Sequence, residues 1–305
     1  MKQAILITAY KDAGRLWELV DIFGNGDFEF YIHVDKKSNI SDAECAELAG
    51  CPHVACVSRK YKVNWGGMNH LKCVLLLARE ALKNKEIGYI HSISGSDYPI
   101  KNPLYFKKFV EGNQKEYLEN FPVPASRWYK GGMNRVEYYH PMDLINIRDW
   151  GQLKYYYRFL GMQEKLGIKR SYSSKLPPLH GGSIWWTLTY DCVKYVVDYT
   201  FKHPRLLRRL KYAFIPEEFY FQTVIMSSPF AKNVVDDNLR YIDWNERNGN
   251  CPAVLDVTDV EAIRASAALF ARKVESPVSD ELIDCLRGNR MEVRSRSILQ
   301  VTDRG

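Results

Sequence analysis

Two adjacent carboxylates, Glu217 and Glu218, stand at the predicted start of a helix, directly after Pro216. Proline is favoured in the first turn of a helix, and acidic residues there complement the helix dipole. In an arbitrary helix, this effect alone would explain the presence of two acidic residues. Here three aromatic residues follow, at positions 219–221. A carboxylate among aromatic groups is partly desolvated, and its pKa is raised as a general base requires. We therefore predict that Glu218 is a catalytic base.

Two adjacent cations, Arg272 and Lys273, close an apolar run that we predict to be helical. One interpretation is a solvated helix terminus, where cations interact favourably with the dipole. The other is a clamp on a diphosphate leaving group, since Arg offers a donor fork and Lys a compact charge. Many nucleotide-sugar transferases hold a metal ion with an Asp-x-Asp motif, which this sequence lacks. We therefore expect side-chain cations in place of a metal, and no other cofactor.

Glycine and tryptophan occur together in two places, at Trp65–Gly67 and within residues 181–186. Glycine allows close approach of the backbone, and an indole offers a platform for a sugar or base ring. A tight turn beside a core tryptophan would explain either place equally well. We predict donor contacts from Trp65, Gly66 and Trp185.

The composition is that of an ordinary globular protein, with 305 residues, 46% of them hydrophobic and 26% charged. The net charge of +7 is compatible with nucleic acid, an anionic membrane surface or small phosphorylated ligands. Neither zinc-finger spacing nor an RNA-binding aromatic signature accompanies the basic residues, which weighs against nucleic acid. A peripheral contact with the inner membrane surface stays open, because lipid-linked acceptors lie there.

The seven cysteines are scattered and form no Cys-x-x-Cys pair. An odd number of isolated cysteines favours reduced thiols over a disulfide framework or a zinc site. The sequence shows neither a signal peptide nor an apolar run long enough to span a membrane. We expect a cytoplasmic protein.

The first third of the chain alternates predicted strands with helices, which indicates a mostly parallel sheet covered on both faces. We predict strands at 4–9, 28–34, 54–57 and 89–93, and helices at 13–23 and 70–82. Ligands of such sheets bind outside the carboxyl ends of the strands. We place Ala9, Asp35 and Lys37 in a nucleotide site at that edge. Dinucleotide-binding and P-loop chemistry are disfavoured, because neither glycine motif is present.

The middle of the chain, 114–178, is rich in Tyr, Arg and Trp and weakly periodic, which indicates a region that bears an acceptor site. After it we predict a strand over 181–188 and helices over 190–200 and 216–226. We expect one domain, 1–288, with a nucleotide-binding half (1–112) and an acceptor and catalytic half (113–288), then a mobile basic tail (289–305). The candidate acceptor contacts are Asp97, Arg127, Trp128, Lys130 and Arg135.

Together these segments resemble the core-2/I-branching β-1,6-N-acetylglucosaminyltransferases and the related peptide O-xylosyltransferases. The matching stretches follow the family's order and span about residues 4 to 275: Phe30–Ser38, Trp65–Gly67, Ser94–Lys101, Gly181–Ser183, Pro216–Glu218 and Phe270–Lys273. The resemblance implies an α/β, GT-A-like fold, a UDP-sugar donor, inversion at the anomeric carbon and no metal requirement. It also places Asp35 and Lys37 beside the uridine, Glu218 as the base, and Arg272 with Lys273 at the diphosphate.

One departure bears on the acceptor. The xylosyltransferases carry Asp after Gly-Gly-Ser, where it meets the peptide serine, whereas this chain has Ile184. We therefore expect a saccharide hydroxyl as acceptor, in a bacterial cytoplasmic member that builds a surface glycan. N-acetylglucosamine is the commonest donor sugar of the family, with xylose and glucuronic acid as alternatives.

Two other functions are alternatives to sugar transfer. A glycoside hydrolase would need Glu217 and Glu218 to flank one bond, but adjacent helical residues point about 100° apart. A carbohydrate-binding protein without activity, on the same scaffold, stays open, although the intact base and cations favour an enzyme.

Overall fold

A seven-stranded mixed β-sheet forms the centre of the chain. The computed structural model describes residues 1–24 and 26–287. The predicted basic tail, 289–305, lies outside the described residues. The strands in chain order are β1 (Lys2–Ala9), β2 (Phe28–Val34), β3 (Val54–Ser58), β4 (Ile87–Ser94), β5 (Asp97–Pro99), β6 (Glu116–Leu118), β7 (Phe121–Pro122), β8 (His180–Gly181), β9 (Trp186–Thr189), β10 (Val234–Val235), β11 (Arg240–Ile242) and β12 (Phe270–Arg272). The central sheet has the order β10-β6-β9-β4-β1-β2-β3, and the small sheets have the orders β11-β12-β5 and β7-β8.

The parallel part of the central sheet brings three strand ends to one edge. Thr8 of β1 pairs with His33 of β2 on one side and Ser94 of β4 on the other. Just beyond, the Asp35 N–H donates to the Ala9 carbonyl at 2.7 Å. The predicted nucleotide residues therefore meet at the carboxyl edge of the sheet, where ligands of such sheets bind.

Strand β9 is antiparallel to both of its neighbours, β4 and β6. Trp186 at its start pairs with Ser92, near the carboxyl end of β4. Trp185 therefore arrives at the same edge as the ends of β1 and β2.

Helices cover both faces of the sheet. They are α1 (Ala13–Ile22), α2 (Asp42–Ala49), α3 (Met68–Ala81), α4 (Pro103–Val110), α5 (Asn134–Glu137), α6 (Trp150–Lys165), α7 (Tyr190–Lys202), α8 (Pro204–Leu210), α9 (Glu217–Met226) and α10 (Val260–Ala265), and residues 280–287 are also helical. Successive side chains of a strand point to opposite faces. Accordingly, Leu6 of β1 belongs to a core cluster with α3, α7 and α9, and Ile7 belongs to a cluster with α1 and α4. The predicted α/β class is confirmed.

Two sequence predictions of local structure were wrong. The run before Arg272 is not helical, because α10 ends at Ala265 and residues 270–272 form β12, which pairs with β5 and β11. The strand predicted over 181–188 is interrupted between β8 and β9. The weakly periodic middle contains the 16-residue helix α6. The central sheet takes strands from both sides of residue 112, and the division into two halves stays a prediction.

Within the part of the chain that the structure describes, no helix combines the length and apolar character needed to cross a bilayer.

Candidate active site

Glu218 lies in the first turn of α9 and faces a cation. Arg135 Nη1 donates to Glu218 Oε2 at 2.6 Å, and the Arg135 guanidinium lies 4.0 Å from the centre of the Trp128 ring. The Gly182 N–H donates to the Glu218 carbonyl at 3.0 Å. The carboxylate is thus fixed by a side chain from α5 while its backbone is tied to the 182–185 segment.

The pKa of Glu218 is raised to about 7, chiefly by burial. Arg135 opposes this shift, whereas the negative charges of Glu217 and Glu119 add to it. A carboxyl with such a pKa is substantially ionised at neutral pH and still binds a proton well, as a general base requires. The aromatic residues at 219–221 are fully buried in the core.

Glu217 points the other way and is the more buried of the two, with 4% of the residue exposed. Its Oε1 lies 3.0 Å from His70 Nδ1, and His70 Nε2 lies 3.2 Å from Thr8 Oγ1. This chain of contacts joins α9 to α3 and to the end of β1. Because the two carboxylates have separate partners, they are poorly placed to flank one glycosidic bond, which weakens the hydrolase alternative.

Arg272 is held by an acid and stacked on an indole. Its Nη1 donates to Asp97 Oδ2 at 3.0 Å and to Ser94 Oγ at 2.5 Å, and its guanidinium lies 4.3 Å from the centre of the Trp185 ring. Asp97 has no exposed surface, so the predicted acceptor contact of Asp97 was wrong. Its position after a strand suggested an exposed edge, but the pairing of β5 with β12 buries it against Arg272.

Lys273 lies beside further cations. Burial, followed by the charge of Arg272, lowers the pKa of Lys273, and Arg148 and Lys11 contribute in the same direction. The Lys11 ammonium is bound to Glu275 Oε2 at 2.7 Å. The sequence did not predict Lys11 and Arg148 as members of this cluster. The available signal for Lys11 was its position two residues after the end of β1. The four cations make the place suitable for a diphosphate.

Asp35 orders the predicted uridine side. Its Oδ1 accepts hydrogen bonds from the backbone N–H of Lys37 at 2.9 Å and of Val63 at 3.2 Å. The Lys37 ammonium donates to Asn64 Oδ1 at 2.9 Å and lies 3.9 Å from Asp35 Oδ2. Asp35 and Lys37 therefore connect the end of β2 to the loop that leads into Trp65.

The Trp65–Gly67 turn is fastened to the start of α9. Trp65 remains 46% exposed, and its ring contacts the edge of Phe214. Gly66 has φ +78°, its carbonyl accepts from the Ile215 N–H at 3.0 Å, and a Cβ there would lie 2.9 Å from Phe214. Only glycine suits this turn, which sets an exposed indole close to the start of α9.

The remaining acceptor candidates surround Trp128. Arg127 lies 4.1 Å from the centre of the Phe121 ring and 3.4 Å from Glu119 Oε1. Trp128 packs edge-on against Phe121 and Phe219. The exposed Lys130 pairs with Glu164 at 3.4 Å. Contact of Arg127, Trp128 and Lys130 with an acceptor stays a prediction, as does that of Arg135.

Ile184 is buried in the core cluster that contains α9. Ile184 therefore contributes to core packing and presents no polar group to an acceptor.

The fold is α/β, and the comparison with family models is more specific. Residues 4–265 match the family described as Core-2/I-Branching enzyme, so the chain belongs to that family. The family predicted from the motifs is thereby confirmed.

Curated relatives and one solved structure extend this comparison. The chain is 28% identical over 281 residues to Xylosyltransferase 2 of Canis lupus familiaris, covering 84% of this chain and 30% of the relative. It is 25% identical over 306 residues to Xylosyltransferase 1 of the same species, covering 92% and 29%. The chain therefore spans about 30% of the length of these relatives. The S. aureus TarS structure with UDP-GlcNAc is 16% identical, and the match covers 42% of this chain and 37% of that chain with a TM-score of 0.29.

Proposed function

We propose that this chain is an inverting, metal-independent glycosyltransferase that moves a sugar from a UDP-sugar to a saccharide hydroxyl. One observation carries the proposal: the 182–185 segment contacts both the candidate base and the candidate diphosphate clamp. Gly182 binds the backbone of Glu218, and Trp185 stacks on Arg272. The candidate base and the candidate diphosphate clamp are therefore positioned by one short stretch of chain.

In the proposed reaction, Glu218 takes the proton of an acceptor hydroxyl while that oxygen attacks the anomeric carbon. The new carbon–oxygen bond forms as the bond from that carbon to the β-phosphate oxygen breaks, and UDP leaves with the bonding electrons from the opposite face. Arg272 and Lys273 meet the growing negative charge, in the role that a metal ion plays elsewhere. General-base help is typically worth ~10²–10⁴-fold in rate.

The proposed donor is UDP-N-acetylglucosamine, with UDP-xylose and UDP-glucuronate as alternatives. The names of the curated relatives favour xylose among the alternatives. We also propose a role in surface glycan synthesis from the cytoplasm, with a peripheral membrane contact. All seven cysteines, which lie within the described ranges, have free thiols, as is usual in reducing compartments.

The test is UDP release with each of the three donors, offered saccharide acceptors or a serine peptide, with and without excess EDTA. We expect release with a saccharide, little changed by EDTA. A tenfold fall that manganese or magnesium restores would overturn metal independence, and release with the peptide alone would overturn the acceptor class. Donor binding without release under any condition would establish the alternative of a carbohydrate-binding protein.

A further inference from the structure

Helix α6 carries several large apolar residues on its solvent-facing side. Tyr156 and Gln163 are its only buried residues. Trp150 is 86% exposed, Tyr155 is 65% exposed and Leu166 is 64% exposed. Leu153, Phe159 and Leu160 are partly buried beside Tyr156, so the exposed aromatic residues are additional to an ordinary core-facing stripe. The exposed surface of α6 is a contiguous feature, in contrast to scattered single residues, which need no explanation.

The exposed surface of α6 is also basic. Lys154, Arg158 and Lys165 are exposed, and at 100° per residue they fall within one narrow sector of the helix. Trp150 lies on one side of this sector, and Tyr155 and Leu166 lie on the other. The helix contains one acidic residue, Glu164, which pairs with Lys130. A row of cations flanked by aromatic and aliphatic side chains is therefore presented to solvent.

The buried side of α6 is bound to the segment that follows α5. Gln163 exchanges two hydrogen bonds with the backbone of Tyr139, at 2.8 and 3.1 Å, and the Tyr156 hydroxyl lies 2.9 Å from His140 Nδ1. Residues 139–140 follow α5, which carries Arg135, the partner of Glu218. Whatever binds the outer face of α6 is thus brought close to the predicted acceptor side.

The geometry points to an anionic lipid bilayer as the occupant of this surface. Tryptophan and tyrosine prefer the headgroup level of a bilayer, and helices with this mixture of basic and apolar residues lie in the interface plane. Lysine and arginine are attracted to anionic headgroups. Helix α6 therefore docks the chain on the membrane. The docking itself is independent of the donor; its catalytic value rests on the function proposed above.

Vesicle co-sedimentation of the full chain tests the docking, using phosphatidylcholine alone or mixed with phosphatidylglycerol. We expect binding to the mixed vesicles only, weakened by salt. The double variants Lys154→Glu/Arg158→Glu and Trp150→Ser/Tyr155→Ser should each weaken binding, the first by about fivefold or more per charge removed. The matched control Lys108→Glu/Lys115→Glu reverses two exposed lysines on and just after α4 and should change binding little. Residues 289–305 are identical in all variants, so differences report on α6.

Three results would overturn the docking: equal binding to neutral vesicles, full binding by the α6 variants, or an equal loss in the α4 control. Analytical ultracentrifugation of the same proteins tests whether a second copy of the chain binds this surface instead. A dimer that the α6 substitutions abolish, in a chain that does not bind vesicles, would assign the surface to a second copy. Thermal unfolding and UDP binding show that the variants are folded. Failure of the proposed function is distinguishable, because vesicle binding through α6 would then persist without any UDP release.

Discussion

The Arg135 guanidinium bridges Trp128 and Glu218, stacking on the indole and donating to the carboxylate at 2.6 Å. The stacked ring restricts where the guanidinium can lie, and the guanidinium in turn fixes the carboxylate. Arg135 therefore both orients the candidate base and lowers its proton affinity.

The first prediction concerns pH. Glu218 must be ionised to accept a proton, and its pKa is raised to about 7, so kcat/KM should rise about tenfold per pH unit below 7 and level off above it. Arg135 lowers this pKa and Glu119 raises it. Arg135→Gln should therefore move the acid limb to higher pH, and Glu119→Gln should move it to lower pH. Limbs that move in the same direction, or not at all, would contradict the assignment of the titrating group.

The second prediction concerns turnover. Glu218→Gln keeps the shape but cannot take a proton at neutral pH, so kcat should fall by ~10²-fold or more while UDP affinity, measured by calorimetry, stays nearly unchanged. Glu261→Gln is the matched control, because Glu261 also lies in a first helical turn and is exposed. If Glu218→Gln remains active, Glu218 is not the base.

From the sequence alone, Glu217→Gln is expected to be mild, because neighbouring helical residues face apart. The structure corrects this expectation. Glu217 is buried and bound to His70, so its substitution disturbs the contact between α9 and α3. A loss in Glu217→Gln should therefore appear first as a lower midpoint of thermal unfolding.

The third prediction concerns the diphosphate clamp. Lys273→Ala should weaken UDP binding by about 1.5–3 kcal/mol, roughly tenfold or more, because a phosphate loses a charge-assisted partner. The affinity for uridine, which has no phosphate, should change little. Asp97→Asn should act in the same direction by releasing Arg272, whereas Lys202→Ala, at the exposed end of α7, should have no effect. Equal losses for UDP and uridine would place the diphosphate elsewhere.

The fourth prediction concerns recognition of the nucleobase. Asp35 Oδ1 is occupied by two backbone N–H groups, which leaves Oδ2 to accept the imide N–H of uracil. Cytosine lacks that proton, so CDP should bind more weakly than UDP by ~1–3 kcal/mol, roughly tenfold to over a hundredfold. Asp35→Asn should reduce the difference. Equal affinities of the unmodified chain for UDP and CDP would refute this role of Asp35.

The sequence predicted the strands and helices near the nucleotide edge well, and its bounds for β2 agree with the structure. These elements have strong periodicity and are bounded by turn residues. Helix α6 was not predicted because its exposed side also carries aromatic residues, such as Trp150 and Tyr155, which weakens the amphipathic signal. Arg272 was assigned to a helix because a three-residue strand has too little pattern of its own.

The roles of Asp97 and Arg135 depend on partners far along the chain, Arg272 and Glu218. No local pattern carries such information, because the contact arises only when β5 meets β12 and α5 meets α9. The motifs therefore located the site, while its internal pairing required the fold.

The hydrogen bond from Ile215 to the Gly66 carbonyl has a consequence for how this chain can change. A side chain at position 66 would press on Phe214, the residue before Ile215, and so displace the peptide that leads into α9. Trp65 can vary without this penalty, since its ring is half exposed. Mutational drift and directed evolution can therefore change position 65 but not position 66, although the two are neighbours.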